Sequence, residues 1–298
     1  MKKNTLIKSV WQSKWYYAAL LPTIALLCIF DLYPVFTGII RSLFRWKTKN
    51  YFNPVFCGLD NYVRLFRDTA FWKSFGILFV FLVTGFITSF AVNLPITYLI
   101  FRLKKTKAGK FFERAFVIPM MIPGMVNSMY WSFFYRHGSG LLDTILTLLG
   151  REDLIHVWLA DSQLTLPAVL LIGFPFAGGF TMLILLSGLL NTDAAMEEAA
   201  MLDGAGAWSI FSRIYLPQLV PQIKILSILG MIAGIQAYGT QVIYTSGRYN
   251  TMVPAYYMYQ SAFINGNYGY ATAQGVVLFL IILTVTILQK KFIKTEKR

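Results

Sequence analysis

The chain has 298 residues, of which 56% are hydrophobic, 16% aromatic and only 13% charged. A water-soluble fold of this length cannot cover so much apolar surface, so the composition excludes a soluble globular domain and points to a polytopic membrane protein. The formal net charge of +14 does not make a nucleic-acid surface, because the cations sit at the ends of apolar runs rather than in one patch.

Residues 1–14 are a basic lead, with Lys2, Lys3, Lys8 and Lys14 around Trp11 and no small-residue cleavage site. The apolar run behind them is too long for a signal-peptide core, so a retained first span is expected at 15–40. Asp31 lies in its outer third, before Tyr33-Pro34. A carboxylate at that depth is a functional group or a water-facing, hydrogen-bonded structural one, and nearness to the interface favours the second. The polar loop 41–71 carries Leu59, Tyr62, Val63 and Phe66 on one face, which predicts a short helix lying at the membrane surface. Cys28 in the first span and Cys57 in this loop are too separated to suggest a disulfide.

A second span is expected at 71–101, followed at 102–114 by the densest basic run. The third, 115–135, contains Pro119, Pro123 and Gly124 and is expected to be kinked or broken. The loop 136–163 holds both histidines, His137 and His156, without ligand spacing, which favours surface residues over a metal site. Spans four to six are placed at 164–190, with Pro167, Pro175 and Gly178-Gly179; at 218–245, with Lys224 and several polar side chains; and at 270–288. A basic tail, 291–298, closes the chain. On this reading 15–290 form one transmembrane domain. Both termini, the basic loop and the stretch between spans four and five share one side, which holds 16 of the 27 Lys and Arg and is therefore assigned to the cytoplasm.

That last stretch, Glu197 to Pro217, differs from the rest. Residues from Ala194 to Leu202 are good helix formers, Asp193 is placed to cap them, and Glu197 and Glu198 face the positive end of the helix dipole. Gly204 or Gly206 supplies the stop. A second helix follows with Trp208, Phe211 and Tyr215 on one face, and Pro217 is expected to end it. A helix, glycine turn and helix too short to cross a bilayer is suited to docking into another protein. No G-x-x-x-x-G-K-[ST] is present; the nearest fragment, Ala108-Gly109-Lys110-Phe111, lacks the first glycine and the hydroxyl. Apart from Lys73 at the outer edge of the second, charge inside the spans is limited to Asp31 and Lys224, which argues against a proton- or sodium-coupled transporter. An intramembrane enzyme would need a convergent His, Asp or Cys set, and none is visible. Energy is therefore expected to arrive from outside the chain.

This element resembles the EAA loop of ABC importer permeases: Glu198, Ala199 and Ala200, three residues, Gly204, nine residues, Ile214, one residue, Leu216-Pro217. The resemblance extends over nearly all of the chain through WYYAALLPTIALLCIFDLYPVF, CGLDNYVRLFRDTAFWKS, FVIPMMIP and YMYQSAFINGNYGYATAQGVVLFLII, in the family's order. It is strongest to the carbohydrate importers, on the branch of the larger maltose permease subunit and the glycerol phosphate permease. The resemblance implies an all-α membrane protein of six transmembrane helices with a cytoplasmic coupling loop, in a bacterial cytoplasmic membrane, both termini cytoplasmic. It implies no catalysis and no cofactor on this chain, with ATP and Mg held by two cytoplasmic ABC ATPases. It further implies a second, different but related permease and an extracellular sugar-binding protein. Glu198, Ala199, Ala200, Asp203, Gly204, Ile214, Leu216 and Pro217 are then the residues that couple to the ATPase.

Two departures stand out. Asn191-Thr192 replace the Ile-Pro frequent before the element, and Ser246-Gly247-Arg248 replace the Gly-Gly-Pro frequent after the fifth span. For a sugar path, aromatic faces and amide or hydroxyl partners are needed. Gln236, Tyr238, Gln241 and Tyr244 of the fifth span and Asn127, Tyr130 and Trp131 of the third are the candidates. Each can equally serve interhelical hydrogen bonding. Alternatives are an ABC permease for a non-sugar solute, such as a phosphorylated polyol or an amino acid, and a secondary transporter, which would accumulate substrate without any ATPase.

Overall fold

The computed structural model describes residues 14–174 and 178–292. Most of the basic lead and tail, and Pro175 in the expected fourth span, lie outside the described residues. In chain order, α1 (Trp15–Arg41) matches the first expected span. The following loop holds a two-residue antiparallel ladder, β1 (Phe44–Arg45) against β2 (Val55–Phe56), that the sequence reading did not anticipate, and then the short α2 (Asp60–Arg67). The second span is α3 (Thr69–Arg102).

The third expected span arrives in pieces: α4 (Lys107–Val117), a 3-10 turn at Ile118–Met121, and α5 (Gly124–Phe134). Pro119 and Pro123 fall in the break, where each removes a ladder donor. After α6 (Leu141–Leu148), the fourth is also split, into α7 (Thr165–Leu170) and α8 (Gly179–Leu190). Then come α9 (Ala194–Leu202), α10 (Ala207–Ile210), α11 (Val220–Gln236), α12 (Pro254–Tyr259) and α13 (Tyr268–Phe292). Among the described residues, four stretches, Trp15–Arg41, Thr69–Arg102, Val220–Thr245 and Tyr268–Lys291, are long and apolar enough to cross a bilayer. The two broken pairs fall where the third and fourth spans were expected. Among the described residues, five helical turns are widened to π geometry, at Cys28–Leu32, Thr88–Val92, Phe211–Tyr215, Gln241–Thr245 and Gln260–Ile264.

One compact unit lies within residues 1–68 and 258–279. Its knot is Asn61, whose Nδ2 donates to the carbonyls of Ser42 (2.8 Å) and Phe44 (2.9 Å). The start of α13 joins this loop. The Gly269 amide donates to the Trp46 carbonyl at 2.9 Å, Arg64 stacks over the Tyr270 ring at 4.1 Å, and the Tyr270 hydroxyl donates to Asp68 at 2.5 Å. In α2 the buried residues are Asn61 and Leu65, while Leu59, Val63 and Phe66 of the expected apolar face are exposed. The most apolar part of α1 buries none of its residues.

The second unit lies within residues 69–257 and 280–298. Its core joins Phe101 of α3, Leu185, Leu186 and Leu189 of α8, and Ile210, Tyr215, Leu219 and Leu226 from the chain that follows. A Cβ at Gly188 would stand 2.7 Å from the Leu219 side chain and 2.8 Å from that of Gln222, so a larger residue would push both aside where α8 meets the start of α11. The core therefore sits directly behind the α9–α10 segment and holds it against the end of α3.

Candidate functional site

α9 starts and stops by local chemistry. Asp193 Oδ1 accepts the Ala195 amide at 3.0 Å, the predicted cap. At the other end the Gly204 amide donates to the Met201 carbonyl (3.1 Å) and the Ala205 amide to the Ala200 carbonyl (2.9 Å). Gly204 has φ +77, so these two bonds make a Schellman stop with glycine in the left-handed position. Gly206 has φ −71 and instead precedes α10. α9 leaves α8 at 67°, which turns the helix pair away from the direction of the spans.

Pro217 does not end the second helix, as expected from its missing amide. α10 runs through the π turn Phe211–Tyr215 into a further turn, Leu216–Gln218, and on to α11. Proline is tolerated there because it occupies the first turn of a new segment, where no ladder donor is required. The π turn also breaks the single face predicted for Trp208, Phe211 and Tyr215. Tyr215 is buried, Phe211 half-buried and Trp208 76% exposed.

The motif residues divide into two sets. Ala200 and Ile214 pack against the core cluster and Leu216 is half-buried, while Glu198, Ala199, Asp203, Gly204 and Pro217 are exposed. Leu202, 89% exposed, and Trp208 add a large apolar element to that outer surface. Sequence reasoning missed the residue that turns inward. Glu197 accepts from the Arg102 guanidinium at the end of α3 with Oε1 and from the Tyr215 hydroxyl with Oε2. Burial raises the pKa of this carboxyl, but the hydrogen bonds from Tyr215 and Arg102 outweigh it and leave it below the usual glutamate range. Burial, and then the bond to Glu197, push the Tyr215 phenol well above its usual value. No local signal distinguishes Glu197 from Glu198, since the partner Arg102 is 95 residues away.

The candidate path residues fall into three settings. Gln236 is the exposed last residue of α11, after which the helix breaks: Ala237 is extended with ψ 130. Tyr238, in the break, is also exposed. Gln241 is 2% exposed, and its Nε2 donates to the Thr251 carbonyl at 3.0 Å. The Tyr244 hydroxyl donates to the Ser128 carbonyl at 3.2 Å, bringing the end of the fifth span to α5. On α5, Asn127 and Tyr130 are exposed, and Trp131 lines a cavity of about 330 Å3 with Phe134, Tyr135, Trp158 and Phe174. The polar ends of that cavity are committed internally, Tyr135 to the Ala168 carbonyl (3.0 Å) and the Trp158 indole to Asp143 (2.7 Å). Structure thus joins Tyr244 to the α5 group and sets Gln241 apart as a strut of the following loop. His137 Nδ1 lies 3.2 Å from the His156 carbonyl and 3.5 Å from the Asp143 carboxylate.

Residues 93–297 match the family described as "Binding-protein-dependent transport system inner membrane component". The "Probable ABC transporter permease protein YurN" of Bacillus subtilis is 27% identical over 94% of this chain and 96% of its own length. The "Multiple sugar-binding transport system permease protein MsmF" of Streptococcus mutans is 28% identical over 97% of this chain and 98% of its own. In fold, the chain is similar to a chain of a bacterial alginate ABC transporter in complex with an alginate pentasaccharide-bound periplasmic protein. The TM-score is 0.80, with 22% identity over 97% of this chain and 99% of that one.

Proposed function

Because this chain belongs to the family of inner membrane components of binding-protein-dependent transport systems, we propose that it is one permease subunit of an ATP-driven carbohydrate importer. The observation that carries the mechanism is the α9–α10 element, a capped helix, a glycine stop and a second helix outside the apolar spans, with Glu198, Leu202, Asp203 and Trp208 presented outward. In this reading it docks into a cytoplasmic ABC ATPase, which binds ATP and Mg, while a second, related permease completes the path and an extracellular binding protein delivers the sugar. The named substrates of similar proteins support the sugar class. Residues 15–290 act as one permease domain, with both termini cytoplasmic. Gln236, Tyr238, Tyr244, Asn127, Tyr130 and Trp131 offer amide, hydroxyl and aromatic surface to a sugar, and Gln241 fixes the rim around them.

The mechanism follows from attachment. Closure of the ATPase dimer displaces α9, and the core behind it passes the displacement to α3, α8 and α11, which pack together there. Gly204→Leu tests this. A left-handed leucine costs on the order of 1 kcal/mol of local strain, little against a large bundle. Its bulk nevertheless blocks seating of the helix pair. The complex should assemble and bind its receptor, yet lose receptor-stimulated ATPase activity and uptake in reconstituted vesicles. Full activity of Gly204→Leu in both assays would overturn the coupling role.

A further inference from the structure

We propose that Glu197 is the positioning residue of a latch, Arg102–Glu197–Tyr215, that makes the end of α3 move with α9; this rests on reading α9–α10 as the ATPase port. α9 needs such a tie. None of its nine residues is buried, and Ala200 is its one hydrophobic side chain packed against the core cluster. At one end the chain bends by 67° from α8, and at the other it passes through the left-handed Gly204. A helix pushed from outside and held only at two bends would pivot in place.

The carboxylate of Glu197 removes that freedom. One oxygen holds the guanidinium of Arg102, the last residue of α3, and the other holds the hydroxyl of Tyr215, in the π turn beyond α10. Three segments thus meet on one side chain that is itself only 15% exposed. Around it the rings are closely set. Tyr215 lies 5.3 Å from Phe101 and 5.5 Å from Tyr98, and Tyr98 lies 4.7 Å from Phe211. The Arg102 side chain is 40% exposed, so the shielding is on the carboxylate side, where the part-buried Tyr215 bond makes the contact more directional than a fully exposed ion pair. The neighbouring Glu198 points outward. Two adjacent carboxylates therefore divide the work, Glu198 facing the partner and Glu197 gripping the membrane helix.

The test uses the assembled complex in vesicles and reads uptake per ATP hydrolysed, which a purely structural role leaves unchanged. Glu197→Ala and Arg102→Ala should keep receptor-stimulated ATP hydrolysis while uptake per ATP falls about fivefold or more, the scale of an inter-site coupling. Tyr215→Phe, which removes only the hydroxyl, should give a smaller loss. The exchanged pair, Arg102→Glu with Glu197→Arg, should recover uptake per ATP relative to Arg102→Glu alone. Gly204→Leu is run alongside. If it uncouples while Glu197→Ala and Arg102→Ala retain unmutated uptake per ATP, the latch is overturned and the port stands. If Gly204→Leu is fully active too, the port itself has failed. A lowered unfolding midpoint with unchanged uptake per ATP would likewise overturn the latch.

Discussion

Between 193 and 217 the chain leaves its apolar helices with a side-chain cap and a glycine stop, and Gly204 alone takes a left-handed backbone. Between 237 and 251 it leaves them with Gly247 at φ +69 and also with three non-glycine residues, Ser246, Tyr249 and Asn250, at φ +52, +55 and +58. The first segment is closed by bonds spanning a few residues. The second depends on side-chain contacts of longer reach: within the segment, Gln241 to Thr251 (3.0 Å) and Thr251 to Thr245 (2.6 Å), and from outside it, Asn250 to the Ser162 carbonyl (3.3 Å). Strained backbone persists only where its surroundings over-determine it. The contrast teaches that the α9–α10 element is preformed by its nearest neighbours in sequence, whereas the rim of the fifth span stores its shape in side-chain bonds of longer reach.

The sharpest way to break this contrast is to cut the rim's principal bond. Gln241→Leu leaves the buried Thr251 carbonyl without that donor, a loss of about 1–3 kcal/mol. The unfolding midpoint of the purified complex should fall clearly; an unchanged midpoint would show that the rim does not depend on this strut. A paired exchange of backbone freedom gives the next largest effect. Gly204→Ala should destabilise by about 1 kcal/mol, because the left-handed conformation penalises a Cβ. Ser246→Gly should be neutral or stabilising, because it relieves the same penalty. If both substitutions shift the midpoint in the same direction, the two segments do not differ as described.

The smallest effect is one of pH. The folded-state pKa of Glu197 lies below the ordinary carboxylate range. Its stabilisation is therefore fully present above that range and is lost as pH falls through the lowered value. The midpoint difference between the unmutated complex and Glu197→Gln should shrink on acidification, measured by thermal unfolding from neutral to acid pH. A constant difference would remove the ionic part of the contact.

Much of the α9–α10 element was legible because its signals are local. Asp193 and Gly204 act within a few residues of themselves, and the spacing from Glu198 to Pro217 is a one-dimensional pattern. The breaks at Pro119 and Pro123 were legible for the same reason. The inward turn of Glu197 was not, since Arg102 is distant in sequence. Nor was the burial of Asn61 in α2: periodicity marked the apolar face, yet the loop's carbonyls drew the amide inward instead. The persistence of helix past Pro217 depended on a π turn, for which the sequence carries no simple cue.

That π turn has a consequence for how such chains diverge. A π turn holds one residue more than an α turn would, so residues 211–215 carry what amounts to a single-codon insertion. Deleting one residue there would close the turn to ordinary α geometry and leave α11 facing as it does now, because the widened turn already absorbs the extra residue. Only the residues of the turn itself, Tyr215 among them, would be re-aimed, while α11 still ran as a continuous apolar helix. Among related chains, a one-residue gap at this point should therefore leave the apolar faces of α11 in register.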